Sequence, residues 1–246
     1  MKNLSLFNSQ ILFEANSDLE EYRVDSLLEK EPETIAWIDS WDHDKSSVFF
    51  DIGANIGIYS LYAAYKHPKL MVFAFEPVQE NYFALVKNIN LNNMDIHPMN
   101  LAISDETGIT DLFLSDLRIG NSGAQIGEAK NEAGELFVPK KTEKIICISI
   151  DVLIDSYKMP TPNYVKIDVD GLEPNILEGM SNTLKDESLK SILVESNNED
   201  QFKIFSKNLL SHGFEIDKVI ESLPNHSNVR RSEKGSLARN IIFRKN

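Results

Sequence analysis

Ser47-Val-Phe-Phe-Asp-Ile-Gly-Ala-Asn-Ile-Gly57 is the stretch whose reading decides the fold. Val48, Phe49 and Phe50 make a short apolar run that ends at Asp51-Ile52-Gly53. A short strand followed by glycines is how a βα unit begins. Glycine permits a tight turn and lets backbone N–H groups approach a ligand closely. The turn Asp51-Ile-Gly53-Ala54-Asn55-Ile-Gly57 opens a helix, whose N-terminus favours negative groups such as a carboxylate. It does not meet the dinucleotide fingerprint G-x-G-x-x-G, because Asn55 stands where the second glycine would be. An acidic residue, Asp51, opens the turn, which is poor placement for a pyrophosphate. The turn suits a ligand that carries an ammonium beside its carboxylate.

Outward from this turn the texture alternates. Ile56 to Lys66 reads as a helix ended by His67-Pro68, Met71 to Phe75 as a strand, and Gln79 to Leu91 as a helix with Phe83 and Val86 to Ile89 facing inward. Ile96 to Ile103 is a third strand, its alternation broken by Pro98, and Thr110 to Leu114 a further short one. Residues 115–144 carry Gly120, Gly123, Gly127 and Gly134 among polar residues and read as a lid or an insertion. The rhythm returns with Ile145 to Ile150 as a strand, Asp151 to Tyr157 as a helix capped by Asp151, Tyr164 to Ile167 as a strand and Pro174 to Met180 as a helix. Ser191 to Val194 follows as a strand, and Asp200 to Ser211 as a helix ended by Gly213. Phe214 to Ile220 and Arg239 to Phe243 make a final pair of strands. Repeated alternation of strand and helix predicts an α/β domain over 47–246, with a mostly parallel sheet covered on both faces. Upstream, residues 1–46 read as an N-terminal helical extension, with Pro32 in a first helical turn.

Two more strand ends carry carboxylates. Glu76 closes Val72-Phe73-Ala74-Phe75, where it can accept both hydroxyls of a ribose, and Pro77 then turns the chain. Ser104-Asp105 follows the third strand, where the carboxylate can accept from an adenine amino group. Open α/β sheets bind ligands at the carboxyl edge of their strands. A ribose, an adenine and an amino-acid end at three such edges describe S-adenosylmethionine. A formal net charge of -13 repels phosphate backbones, so nucleic acid and anionic membrane surfaces are poor partners. The basic residues between Val229 and Asn246 read as a solvated, mixed-charge ending. The start lacks the apolar core of a signal peptide and no run spans a bilayer, so a cytoplasmic protein is expected. Cys147, alone in its apolar run, reads as a buried thiol.

Asp51-Ile-Gly-Ala-Asn-Ile-Gly57, Phe75-Glu76-Pro77, Leu101-Ala-Ile-Ser-Asp105 and Val165-Lys166-Ile-Asp168-Val-Asp-Gly171-Leu-Glu173 together resemble the FkbM family of methyltransferases, over about residues 47–200. The Lys-Ile-Asp-Val-x-Gly-x-Glu stretch is the most specific part. The resemblance implies a class I methyltransferase fold, Rossmann-like, with a seven-stranded sheet whose last strand is antiparallel. It implies S-adenosylmethionine bound by Asp51, Gly53, Asn55, Gly57, Glu76 and Asp105, and methylation of a hydroxyl on a sugar or small natural product. The family commonly carries Glu where this chain has Asp170, one methylene shorter.

Methyl transfer to oxygen needs positioning and a base near the hydroxyl. Asp168 ends the strand expected beside the glycine-turn strand, and is assigned as base or acceptor-orienting group. Glu173 and Glu195 are expected on the same edge, Glu173 with helix N-terminal stabilisation as an equal alternative. Three carboxylates would also suit a divalent cation, but the reading adopted is metal-free. His212 and His226 read as surface residues. A nicotinamide-dependent oxidoreductase and a non-catalytic binding protein of the same fold are the alternatives. The expected partner is a small-molecule or glycan acceptor.

Overall fold

The computed structural model describes residues 2–7, 11–42, 46–130, 135–223, 226 and 239–245. Lys2–Leu6 (β1) and Ile11–Ala15 (β2) pair antiparallel, and three short helices follow: α1 (Asp18–Asp25), α2 (Leu27–Lys30) and α3 (Pro32–Asp39). Ser17 caps α1 by accepting the Glu20 N–H, and Pro32 sits in the first turn of α3, where its missing N–H costs nothing. The helical extension expected over 1–46 therefore begins with a strand pair. The segment also belongs to the core. Ile11, Phe13, Trp37 and Ile38 are buried, and Trp41 stacks on Tyr164 at 4.1 Å between ring centroids.

The chain then runs through β3 (Ser47–Ile52), α4 (Ile58–Lys66), β4 (Leu70–Phe75), α5 (Gln79–Asn92) and β5 (Ile96–Met99). It leaves the main sheet for β6 (Ala102–Ile103), β7 (Gly108–Leu114), β8 (Ala124–Ile126) and β9 (Lys141–Ile148). It returns after α6 (Ile150–Asp155) with β10 (Tyr164–Ile167), α7 (Glu173–Glu178), β11 (Ser191–Ser196) and α8 (Glu199–Ser211), and finishes with β12 (Phe214–Ile216), α9 (Lys218–Glu221) and β13 (Arg239–Lys245). The main sheet has seven strands in the order β12-β13-β11-β10-β3-β4-β5. β13 alone runs opposite to the other six strands. This is the seven-stranded α/β sheet that the sequence led us to expect.

Strand period places the layers. Phe49, Val72, Tyr164 and Leu193 enter one core, beneath α3, α4 and α5, while Phe50, Phe75, Val165 and Val194 enter the other, beneath α6, α7 and α8. Both faces are covered, which is why the strands read as near-continuous apolar runs. The asparagines of α5 explain how β2 is held. Asn92 accepts the Leu12 N–H at 2.7 Å and donates to its carbonyl at 2.7 Å, and Asn88 accepts the Glu14 N–H at 3.0 Å.

Several local expectations change. The Ile96–Ile103 strand is two, because Asn100 turns inward and donates to the Glu76 and Pro77 carbonyls. The strand at Ile145 lies outside the main sheet. β9 pairs antiparallel with β7 in a four-stranded sheet of order β6-β9-β7-β8. Ser149, not Asp151, caps α6, and Asp151 instead accepts from the Asn182 and Thr183 N–H groups at 2.8 and 2.9 Å. Phe83 is exposed, and Leu85 and Ile89 fill the inward positions of α5. The strand predicted to reach Ile220 stops at Ile216, where Asp217 caps α9. His226 is buried, 3.9 Å from the Glu33 carboxylate and 3.8 Å from that of Glu221. Of the basic ending, Arg230, Arg231 and Lys234 lie outside the described residues, and Arg239 and Arg244 pair with Glu199 and Asp217. Among the described residues no helix is long and apolar enough to cross a membrane.

Candidate active site

A cavity of about 300 Å³ opens at the carboxyl edge of β3, β4, β10 and β11. Its floor is the glycine turn. Gly53 has φ +83°, and a Cβ there would lie 2.0 Å from the Asp168 backbone carbonyl, so glycine lets the ends of β3 and β10 close together. Gly57, at φ +90°, starts α4, and a Cβ there would meet Leu85 at 2.5 Å. Glu76 stands at the end of β4 with its carboxylate facing the cavity. Its Oε2 accepts the Asn55 N–H at 2.8 Å and its Oε1 accepts the Val78 N–H at 2.8 Å. The Asn81 side chain is a third donor to this carboxylate, whose two oxygens still keep acceptor capacity for a further donor. Burial pushes the Glu76 carboxyl up to about 7 despite these hydrogen bonds. Beyond Glu76 the wall becomes apolar, built by Phe75, Leu101, Ala102, Ile103, Leu112 and Ile126.

On the opposite side Asp168 and Glu195 end β10 and β11. Lys166, two residues before Asp168 and so on the same face of β10, is buried and places its Nζ 2.7 Å from Asp168 Oδ2. It also lies 5.0 Å from the centroid of the Tyr59 ring. Burial alone would raise the Asp168 pKa, but the Lys166 ammonium, helped by Lys30, prevails and holds it well below the usual carboxylate range. Glu195 hydrogen-bonds the same carboxylate. Burial opposes the charge on Lys166, yet Asp168, Asp51 and Glu31 raise its pKa above the ordinary lysine value.

The glycine-rich stretch after β7 crosses the cavity as a strap. The Asn121 carbonyl accepts from Asn55 Nδ2 at 3.0 Å and Asn81 Nδ2 at 3.2 Å, and Gly120 N–H donates to Asn81 Oδ1 at 2.7 Å. At the far end Gly123 N–H donates to Asp170 Oδ2 at 2.6 Å, and Gln125 Nε2 to the Asp170 carbonyl at 2.8 Å. The residue at which this chain departs from the expected Glu thus anchors the strap.

Residues 51–229 match the family model described as the Methyltransferase FkbM domain. The chain belongs to the FkbM family. It is 30% identical over 152 residues to the hexuronic acid methyltransferase AglP of Haloferax volcanii, covering 62% of this chain and 56% of that protein. It is 29% identical over 153 residues to methyltransferase sdnD of Sordaria araneosa, covering 53% and 59%. Over a shorter stretch of 62 residues it is 40% identical to the 31-O-demethyl-FK506 methyltransferase FkbM of Streptomyces tacrolimicus, 25% of this chain and 24% of that one. These matches span less than two thirds of each relative's own length. A crystal structure of methyltransferase FkbM from Methylobacillus flagellatus KT superposes with a TM-score of 0.50 at 15% identity, over 81% of this chain and 43% of that one, a likeness of fold.

Within this FkbM domain the cavity brings together Gly53, Asn55, Glu76, Pro77, Asp168 and Glu195. Asp51, Ala54, Gly57, Ser104, Asp105 and Glu173 do not line it. Asp51 is buried under α4, where it accepts from the Ser60 hydroxyl at 2.6 Å and the Ser60 N–H, stabilising the helix start. Burial raises its pKa, against the pull of Lys166. Ser104 donates to Asp105 at 2.8 Å, and Asn175 reaches the same oxygen at 3.2 Å. Asp105 is exposed at the turn beside Gly179, whose own Cβ would meet the Ser104 carbonyl at 2.2 Å. Glu173 bends back to accept the Gly171 N–H at 3.0 Å, and burial pushes its carboxyl up to about 7. It braces the turn after β10. Among the described residues no cluster of three or more His, Cys, Asp or Glu could hold a metal ion. Sequence reasoning quoted Lys166 within a motif without giving it a role, and missed Arg23, Lys30 and Asn81. Lys166 was visible as a lone lysine in an otherwise apolar strand, where an unpaired charge would be too costly to keep.

Proposed function

We propose that this chain is an S-adenosylmethionine-dependent methyltransferase acting on a hydroxyl of a sugar or small natural product. The observation that carries it is the division of one cavity between two carboxylates. Glu76 accepts only from amide N–H groups and retains lone pairs suited to ribose hydroxyls, beside an apolar slot suited to adenine. Asp168 and Glu195 stand opposite and suit a sulfonium and an acceptor hydroxyl. When bound, the cofactor would supply an electrophilic methyl with a neutral leaving group.

Asp168 is ionised by Lys166 and is a weak base on its own, so its part is to orient the acceptor hydroxyl and stabilise developing positive charge. As the acceptor oxygen gains positive charge its proton becomes far more acidic than that of a carboxylic acid, so it passes to the Asp168 carboxylate, weak base though that is. The strap from Gly120 to Gly123 narrows access of water to that side. The substrate classes in the relatives' names, a hexuronic acid and a demethylated FK506, support a hydroxylated acceptor. The test is a panel of hexuronic acids, neutral sugars and hydroxylated natural products incubated with S-adenosylmethionine, with products read by mass spectrometry. One acceptor class gaining a methyl group is expected. Cofactor binding with no transfer to any member would favour a non-catalytic binding protein, and tighter binding of NAD would remove the reading altogether.

A further inference from the structure

The N–H groups of the glycine turn are engaged inside the protein. Gly53 and Ala54 both donate to the Phe75 carbonyl at 3.0 Å, Asn55 to Glu76 at 2.8 Å, Ile56 to Asn55 Oδ1 at 3.0 Å and Gly57 to the Ala54 carbonyl at 2.9 Å. In the first turn of α4, Ser60 N–H goes to Asp51. The carboxylate of an amino-acid ligand therefore cannot be met by this turn in the way a glycine-rich anion cradle meets a phosphate. Cations stand nearby instead. A side pocket beside Gly53 and Asn55 continues the main cavity towards α1 and α2, and Arg23 and Lys30 line both spaces.

Both cations are placed by contacts that leave them facing the cavity. Arg23 Nε donates to the Gly120 carbonyl, which fixes the guanidinium under the strap and leaves its terminal nitrogens as donors. Lys30 Nζ lies 2.7 Å from Glu31 and also acts on Asp168, and Arg23 is close enough to repel it. Two like charges held on one wall favour an anion between them. Asp168 supplies the opposite sign on the same small pocket. The arrangement matches a zwitterion, with a carboxylate towards Arg23 and Lys30 and a cationic group towards Asp168.

The geometry points to Arg23 and Lys30 as the binding site for the methionyl carboxylate of the cofactor. This rests on the S-adenosylmethionine reading above and gives a ligand-binding role to the segment that precedes the family-matched residues 51–229. Calorimetry with two probes tests it: S-adenosylhomocysteine, which carries the amino-acid end, and 5′-methylthioadenosine, which lacks it. Arg23→Gln and Lys30→Gln are each expected to weaken S-adenosylhomocysteine by about ten- to hundredfold, the range for losing a charge-assisted hydrogen bond. Methylthioadenosine affinity should stay within about twofold, which also reports that each variant is folded. Equal loss for both probes would make these residues structural and overturn the assignment. Unchanged S-adenosylhomocysteine affinity in both variants would overturn it too, and would turn the cations over to an acidic acceptor. A parent protein that binds neither probe would instead remove the cofactor reading on which the assignment stands.

Discussion

Glu76 and Asp168 end strands that flank the same central strand, β3, yet they sit in opposite ionisation regimes. Glu76 is buried against amide N–H groups with no cation in contact, and its pKa rises to about 7. Asp168 has a buried ammonium at 2.7 Å, and its pKa falls. Desolvation acts on both, so the difference comes from the partner: a full charge in contact outweighs burial and three amide hydrogen bonds do not. One wall of the cavity thereby offers a carboxyl that changes state near neutrality. The other offers a fixed negative charge.

The comparison breaks most severely at Lys166. Lys166→Met should remove the counter-ion of Asp168 and cost about 3 kcal/mol of stability, the low end for a broken buried pair because Asp168 still reaches the cavity. Urea unfolding would measure it, and a loss under about 1 kcal/mol would show that Lys30 suffices as the counter-ion of Asp168.

Next in size is Asp168→Asn, which keeps the shape but removes the fixed charge. Turnover should fall about a hundredfold or more while S-adenosylhomocysteine affinity changes only a few fold. The reverse pattern, lost affinity with normal turnover at saturation, would place Asp168 on the cofactor side of the cavity.

The sequence made one side of this comparison far more legible than the other. The position of Glu76 followed from strand period and a turn signal, both local, and so did the turn at Gly53. The reason for glycine there did not, since the nearest obstacle is the Asp168 carbonyl from a strand more than a hundred residues away. Asp51, Asp105 and Glu173 looked like ligands because acidic residues at strand ends usually face the crevice. In the structure Ser60, Asn175 and Gly171 engage them away from the cavity lining, and of these partners only Asn175 is brought in from a distant part of the chain. Lys166 was legible only as part of a motif, because its pairing with Asp168 has no meaning until β10 is known to be central and buried. Arg23 and Lys30 lay in a segment with no motif, and only the folding of α1 and α2 against the glycine turn brings them to the cavity.

The smallest expected effect is also the most direct test of the central claim, that Glu76 is the ribose-binding carboxylate of an S-adenosylmethionine site. Between the ordinary value of 4.5 and about 7 the folded chain holds a proton on Glu76 that the unfolded chain has lost, so Glu76 lowers stability as pH rises through that window. Ribose hydroxyls prefer the ionised acceptor, so ligand binding follows the opposite course. The measurement is calorimetric titration of S-adenosylhomocysteine into the parent and Glu76→Gln proteins on either side of the folded-state value of about 7. Parent affinity should rise about tenfold from about pH 6 to about pH 8, and the Glu76→Gln protein should bind more weakly at the upper end with no such rise. A parent affinity that stays flat, or a Glu76→Gln protein that keeps both the affinity and its pH dependence, would contradict the assignment.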